Sequence, residues 1–246
     1  MTQQTGKVAL ITGASRGIGA LLAERLAGDG FTVVVNYAGS TAAAENVVRK
    51  IKAAGGNALT AQADVSNPTA VVRMFDSAES TFGGLDAVIN CAGILKLAKI
   101  ADYSDETFDQ TIAINLKGTF NCLREAVRRL RNGGRIVNFS SSVIGLRLET
   151  YGVYSATKAA VEAMTAVASR EVRGRNITVN AFAPGPVATA LFLEGKSAEL
   201  IDHMAKMNPL ERLGTPEDIA NAVRFLVGPQ GGWVNGQVLR ANGGMN

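Results

Sequence analysis

Short apolar runs recur along the chain, each followed by a longer stretch where apolar residues return every three or four positions. The runs at Val8–Thr12, Thr32–Asn36, Ala58–Gln62, Ala87–Asn90, Arg135–Ser140, Ile177–Phe182 and Gln237–Ala241 predict seven strands. The stretches between them predict helices over about Gly17–Asp29, Ala42–Ala54, from Pro68 onward, Asp105–Leu116, Thr119–Asn132, Gly152–Arg173 and Pro216–Val227. Pro68 suits a first helical turn, and Gly55-Gly56 suits a helix end. Val187–Asn208 mixes polar and apolar residues without a clean period and predicts a loop with short helices. Strands apolar on both faces, alternating with helices, imply a parallel sheet covered on both sides. The expected fold is α/β: a doubly wound parallel sheet of about seven strands. No repeat or Pro/Ser-rich linker divides the chain, so one domain over residues 1–246 is expected, with a lid at about 187–209.

The composition fits this picture. Of 246 residues, 47% are hydrophobic, enough for a large core, and the 19% charged fraction is too low for a disordered chain. The formal net charge of +4 raises the question of nucleic acid. The one basic cluster, Arg124, Arg128, Arg129, Arg131 and Arg135, falls mostly at a predicted helix end, where cations favour the helix dipole. A solvated helix end is therefore preferred, and no nucleic-acid partner is expected. Cys91 and Cys122 lie in apolar or tight segments and read as free thiols. No basic-then-apolar leader and no long apolar span is evident, so the expectation is a soluble, cytoplasmic protein without a membrane partner. The sole histidine, His203, has no ligand-spaced partners, and no metal is expected.

The first strand runs directly into T-G-A-S-R-G-I-G, Thr12 to Gly19. Glycines between a strand and a helix allow a tight turn, and the helix start offers free N–H groups and a partial positive charge to a pyrophosphate. Gly13, Ser15, Arg16, Gly17, Ile18 and Gly19 are thus candidate cofactor contacts. The second strand ends in Asn36, where an acidic residue would favour the free ribose hydroxyls of NAD. Asn36 carries no charge to repel a 2′-phosphate, Arg16 could grip it and Ser40 could add a hydroxyl, so NADP(H) is the expected cofactor.

Y-S-A-T-K places Tyr154 and Lys158 four residues apart, on one face of a predicted helix. A nearby ammonium should lower the phenol pKa, making Tyr154 a usable acid/base. Ser140, Ser141 and Ser142 end the fifth strand at the sheet edge where α/β sites form.

T-G-x-x-x-G-x-G near the start and Y-x-x-x-K about 140 residues later resemble the short-chain dehydrogenase/reductase family, with its Rossmann-type fold. Within it, the chain looks similar to 3-oxoacyl-carrier-protein reductases and related carbonyl reductases, from Gly6 to Gly243-Gly244. The resemblance implies a catalytic set of Asn115, Ser141, Tyr154 and Lys158. Ser141 stands thirteen residues before Tyr154, the family's separation, although Ser142 competes for its role. Asn115 would hold a water beside Lys158 at a helix kink, and Lys158 would also bond the cofactor ribose. Asp64 and Val65 would hold the adenine. Asn90, Ala92 and Gly93, in N-C-A-G where the family has N-N-A-G, would line the cofactor cleft. Pro184, Gly185 and Val187 would meet the nicotinamide and Thr189 the pyrophosphate.

The implied reaction moves a hydride between nicotinamide and a small-molecule carbonyl or alcohol, most simply in ketone or 3-oxoacyl reduction. An alcohol or sugar-alcohol dehydrogenase working oxidatively is the alternative. A non-catalytic NADP(H)-binding regulator is a third reading, disfavoured because all four catalytic positions are kept. An apolar substrate pocket is expected from Leu146, Leu148, Tyr151, Phe192, Leu193, Met204 and Met207. The resemblance also implies a homotetramer built on the Gly152–Arg173 helix and the last strand.

Overall fold

The computed structural model describes residues 6–246; the first five residues, part of the stretch read for a leader, lie outside it. The strands are β1 (Val8–Thr12), β2 (Thr32–Tyr37), β3 (Asn57–Gln62), β4 (Ala87–Asn90), β5 (Arg135–Phe139), β6 (Thr178–Pro184) and β7 (Val238–Ala241). They form one sheet in the order β3-β2-β1-β4-β5-β6-β7, with every pairing parallel. All five residues of β1 and all four of β4 are buried, which is why these strands read as unbroken apolar runs.

Helices cover both faces. They are α1 (Gly17–Gly28), α2 (Thr41–Ala53), α3 (Pro68–Phe82), α4 (Asp105–Thr111), α5 (Thr119–Arg129), α6 (Val143–Leu146), α7 (Gly152–Glu171), α8 (Ala190–Leu193), α9 (Ala198–Lys206) and α10 (Pro216–Val227). One core packs Leu22 and Leu26 of α1, Val47 and Ile51 of α2 and Val223 of α10 against the sheet. The other packs Phe75 of α3, Leu123 of α5 and Ala168 of α7 against the opposite face. Strand order reverses between β1 and β4, so a crevice opens beyond their carboxyl ends, where ligands bind in such sheets.

The elements follow the expected order, with informative shifts. α5 stops at Arg129 rather than Asn132, because Leu130 turns to an extended conformation and is buried. Arg131 leaves the helix and pairs with Asp86 at 2.9 Å. Arg129 reaches Glu79 on α3 at 2.6 Å, and Arg135 donates to the carbonyls of Gly133 and Gly134. Those arginines thus have internal partners that a helix-end reading alone did not supply. The two helices expected over 105–132 are one rod, with α4 running into α5 through a π-helical segment, Ile112–Gly118. β5 ends one residue early, leaving Ser140 beyond the strand. Asn67 caps α3 by accepting from Thr69 and Ala70 N–H, and Thr215 forms a capping box with Asp218 on α10.

Candidate active site

The turn from β1 to α1 is closely built. A side chain on Gly13 would meet the Cα of Ala92 at 2.8 Å, and one on Gly19 the carbonyl of Gly13 at 2.6 Å. Only glycine lets β1, the N-C-A-G segment and α1 approach this closely. The Thr12 hydroxyl accepts from Cys91 and Ala92 N–H at 3.0 and 3.1 Å, fastening N-C-A-G to the turn. Gly17 has φ +56° with open space where a side chain would project. Arg16 precedes α1 and is exposed, without a side-chain capping bond. The turn therefore brings the N-terminus of α1 to the crevice, with the exposed guanidinium of Arg16 beside it, the donor types a phosphorylated dinucleotide needs.

Asn36 departs from its expected role. It is buried, its Nδ2 donates to the carbonyls of Ala61 and Ala63 at 3.1 and 3.0 Å, and its Oδ1 accepts from Gly13 N–H at 3.3 Å. It ties the ends of β2 and β3 to the glycine turn and has no free edge for a 2′-phosphate. Ser40 is exposed at the start of α2, with no capping bond. Asp64 is exposed and accepts from the N–H and hydroxyl of Ser66; Val65 is buried and its carbonyl accepts from Asn121. Asn90 donates to Asn138 Oδ1 at 2.7 Å across β4 and β5, while its own Oδ1 is buried without a partner.

The structure separates the three serines. Ser140 donates to Glu162 at 2.7 Å, and Ser142 donates to the carbonyl of Ala183 at 3.1 Å. Ser141 is the one whose hydroxyl lies close enough to Tyr154 to favour its phenolate, and both line the same cleft. α7 carries Tyr154 and Lys158 on one face, with the Lys158 Nζ 5.6 Å from the Tyr154 ring centre. Lys158 is buried and donates to the carbonyl of Phe139 at 2.8 Å, at the end of β5. Gly93 leaves room beside this amine, since a side chain there would come within 3.7 Å of it.

Burial sets the charge states. It pushes the Tyr154 phenol up to about 12, opposed by the Ser141 hydroxyl, and pushes Lys158 down to about 8. The expectation that Lys158 lowers the phenol is not met by the protein's own groups. Lys158 keeps its charge at neutral pH, but desolvation of the phenol is the largest influence on it, and the phenol stays protonated there.

Asn115 stands at the expected break in the helix. Buried in the π segment, its Oδ1 accepts from Ile94 N–H at 2.8 Å and its Nδ2 donates to the Ile94 carbonyl at 2.9 Å. Both amide atoms are engaged, so the side chain anchors the loop after β4, and its main-chain carbonyl accepts from Thr119.

A cleft of about 650 Å³, including its open mouth, lies over Ser141 and Tyr154. Leu146, Leu148, Tyr151, Phe192 and Met204 line it as expected, whereas Leu193 and Met207 do not. Leu95 in the loop after β4, Val143 at the start of α6 and Leu191 in α8 line it too, on segments that no sequence period marks. Tyr151 meets Tyr154 edge-on, ring centres 6.4 Å apart. Pro184, Gly185, Val187 and Thr189 form another wall; Val187 is buried and pairs with Gly214, while Thr189 caps α8 by accepting from Phe192 N–H at 3.4 Å. His203 is exposed in the last turn of α9.

A family model described as enoyl-(acyl carrier protein) reductase matches residues 13–246. The chain is 46% identical over 249 residues to a short-chain type dehydrogenase/reductase of Picea abies, covering 97% of this chain and 92% of that protein. It is 43% identical to an NADPH-dependent aldehyde reductase-like chloroplastic protein of Arabidopsis thaliana, covering 97% and 94%. A short-chain dehydrogenase from Burkholderia cenocepacia, solved in complex with NADP, superposes with a TM-score of 0.94 at 36% identity over the whole of both chains. The chain belongs to the short-chain dehydrogenase/reductase family.

Proposed function

We propose that this protein is an NADPH-dependent reductase of uncharged, apolar ketones or aldehydes. The observation that carries this reading is a Ser141–Tyr154 hydroxyl pair at the base of a cleft with no charged lining residue among those described. When bound, NADPH supplies the hydride to the carbonyl carbon. The residues fit that cofactor: Gly13 to Gly19 would hold the pyrophosphate, Arg16 and Ser40 the 2′-phosphate, and Lys158 beside Gly93 the ribose. Pro184, Gly185 and Val187 would flank the nicotinamide.

Ser141 hydrogen-bonds the carbonyl oxygen and stabilises the charge that develops there. Tyr154, kept protonated by burial, gives its proton to that oxygen, and Lys158 returns one to the phenolate. The apolar walls disfavour keto-sugars, whose hydroxyls would lose water without gaining partners. α8 and α9 form the lid, placing Phe192 and Met204 over the substrate within one catalytic domain. Exposed Phe120 on α5, Val167 on α7 and Trp233 before β7 support assembly as a homotetramer.

The test is NADPH oxidation across apolar ketones and aldehydes, keto-sugars and 3-oxoacyl thioesters. Apolar carbonyls should give the highest kcat/KM, by about a hundredfold or more over keto-sugars. A preference for keto-sugars, or no turnover of any carbonyl, would overturn the reading.

A further inference from the structure

The segment 242–246, which follows β7, sits directly behind the Ser141 turn. Asn246 Nδ2 donates to the carbonyl of Ser142 at 2.7 Å. Asn242 Nδ2 donates to the Ser142 hydroxyl at 3.0 Å and to Asn246 Oδ1 at 2.8 Å. Asn242 Oδ1 in turn accepts from Gly244 and Met245 N–H, which fixes the amide's orientation. Ser142 also donates its N–H to the carbonyl of Pro184 at 3.0 Å, and Gly185 N–H donates to Ala241 at 3.0 Å. The three segments pack without slack: a side chain on Gly145 would collide with the Asn246 amide, and one on Gly185 would come within 2.8 Å of the Asn242 Cα. Ser141 itself is lightly held, its hydroxyl accepting from Val143 N–H at 3.4 Å. Its position is set by its neighbour.

We propose that Asn242 and Asn246 are positioning residues that lock the Ser141–Ser142 turn onto the Pro184–Gly185 turn and so fix where the Ser141 hydroxyl stands beside Tyr154. This rests on the roles given to Ser141 and Tyr154 above. Displacing a reacting group by about 1 Å can cost on the order of a hundredfold in rate, so a clamp behind Ser141 acts on turnover. The clamp bears on the Pro184–Gly185 turn at the nicotinamide end but touches neither the glycine turn nor Arg16, so the contacts proposed for the cofactor's phosphates are independent of it.

Three variants test the clamp: Asn242→Ala, Asn246→Ala and Gly145→Ala. The last pushes the Asn246 amide aside without removing it, and alanine suits the helical position that Gly145 occupies in α6. The measurements are kcat per NADPH-binding site, KM for the carbonyl, NADPH affinity by fluorescence, and Tm. Each variant should lose kcat about tenfold or more, with KM and NADPH affinity within about threefold of the parent. Gly145→Ala should add no further loss in the Asn246→Ala background, because the contact it disrupts is already gone. Asn246→Ala and Gly145→Ala with kcat per site within about twofold of the parent would overturn the clamp, whatever their Tm. A parent protein that reduces no carbonyl overturns the functional reading and the clamp together; an active parent with unaffected variants overturns the clamp alone.

Discussion

Asn36→Asp separates a cofactor-contact role for this position from the structural role seen here. An acidic residue at the end of β2 is the usual route to NAD preference. The Asn36 side chain is 1% exposed in its surroundings and faces inward, with Nδ2 between the carbonyls of Ala61 and Ala63. Aspartate would replace two donated hydrogen bonds, worth about 1 kcal/mol each, with a carboxylate facing two carbonyl oxygens. Leaving a buried charge without a partner typically costs about 3–5 kcal/mol. For a chain of this size that lowers Tm by roughly 10 °C. Burial holds the folded-state carboxyl above the unfolded value of about 3.9. As pH rises the unfolded chain ionises first, so the deficit is smallest near that value and grows toward neutrality. Thermal unfolding of parent and variant across this pH range, together with kcat/KM for NADPH and NADH, forms the assay. A variant with parental Tm and an inverted preference for NADH would refute the argument.

Arg16→Ala should raise KM for NADPH by roughly 10–100-fold and leave KM for NADH nearly unchanged, since one charge-assisted contact is worth about 1.5–3 kcal/mol; equal losses with both cofactors would argue against a 2′-phosphate contact. Reductive kcat at saturating NADPH should hold below pH 8 and fall as pH rises through about 8, where Lys158 loses its proton while Tyr154, at about 12, keeps its own. A profile flat to pH 10 would contradict a role for the Lys158 charge.

The sheet was legible because buried parallel strands leave unbroken apolar runs, and the glycine turn because its spacing sits between a strand and a helix. Tyr154 and Lys158 were legible because their four-residue spacing stands together with the glycine turn, Ser141 thirteen residues earlier and Asn115. What escaped depends on distant partners. The inward turn of Asn36 is set by carbonyls of β3, some 25 residues on. The hold on Ser142 comes from Asn242 and Asn246, about a hundred residues away. At the helix kink that the resemblance implied, the bond of the Asn115 side chain to Ile94 joins residues 21 apart. The cleft residues Leu95 and Leu191 come from the loop after β4 and the four-residue helix α8, whose course the local pattern does not encode.

The central claim is that Tyr154 delivers the proton in carbonyl reduction. Its most direct measurement is single-turnover hydride transfer by stopped flow in Tyr154→Phe, pre-loaded with NADPH, followed by the loss of reduced-nicotinamide absorbance. Phenylalanine keeps the ring beside Tyr151 and Lys158 and removes only the hydroxyl. The rate should fall by about 10²–10⁴-fold with NADPH affinity unchanged. Hydride transfer within about tenfold of the parent would contradict it.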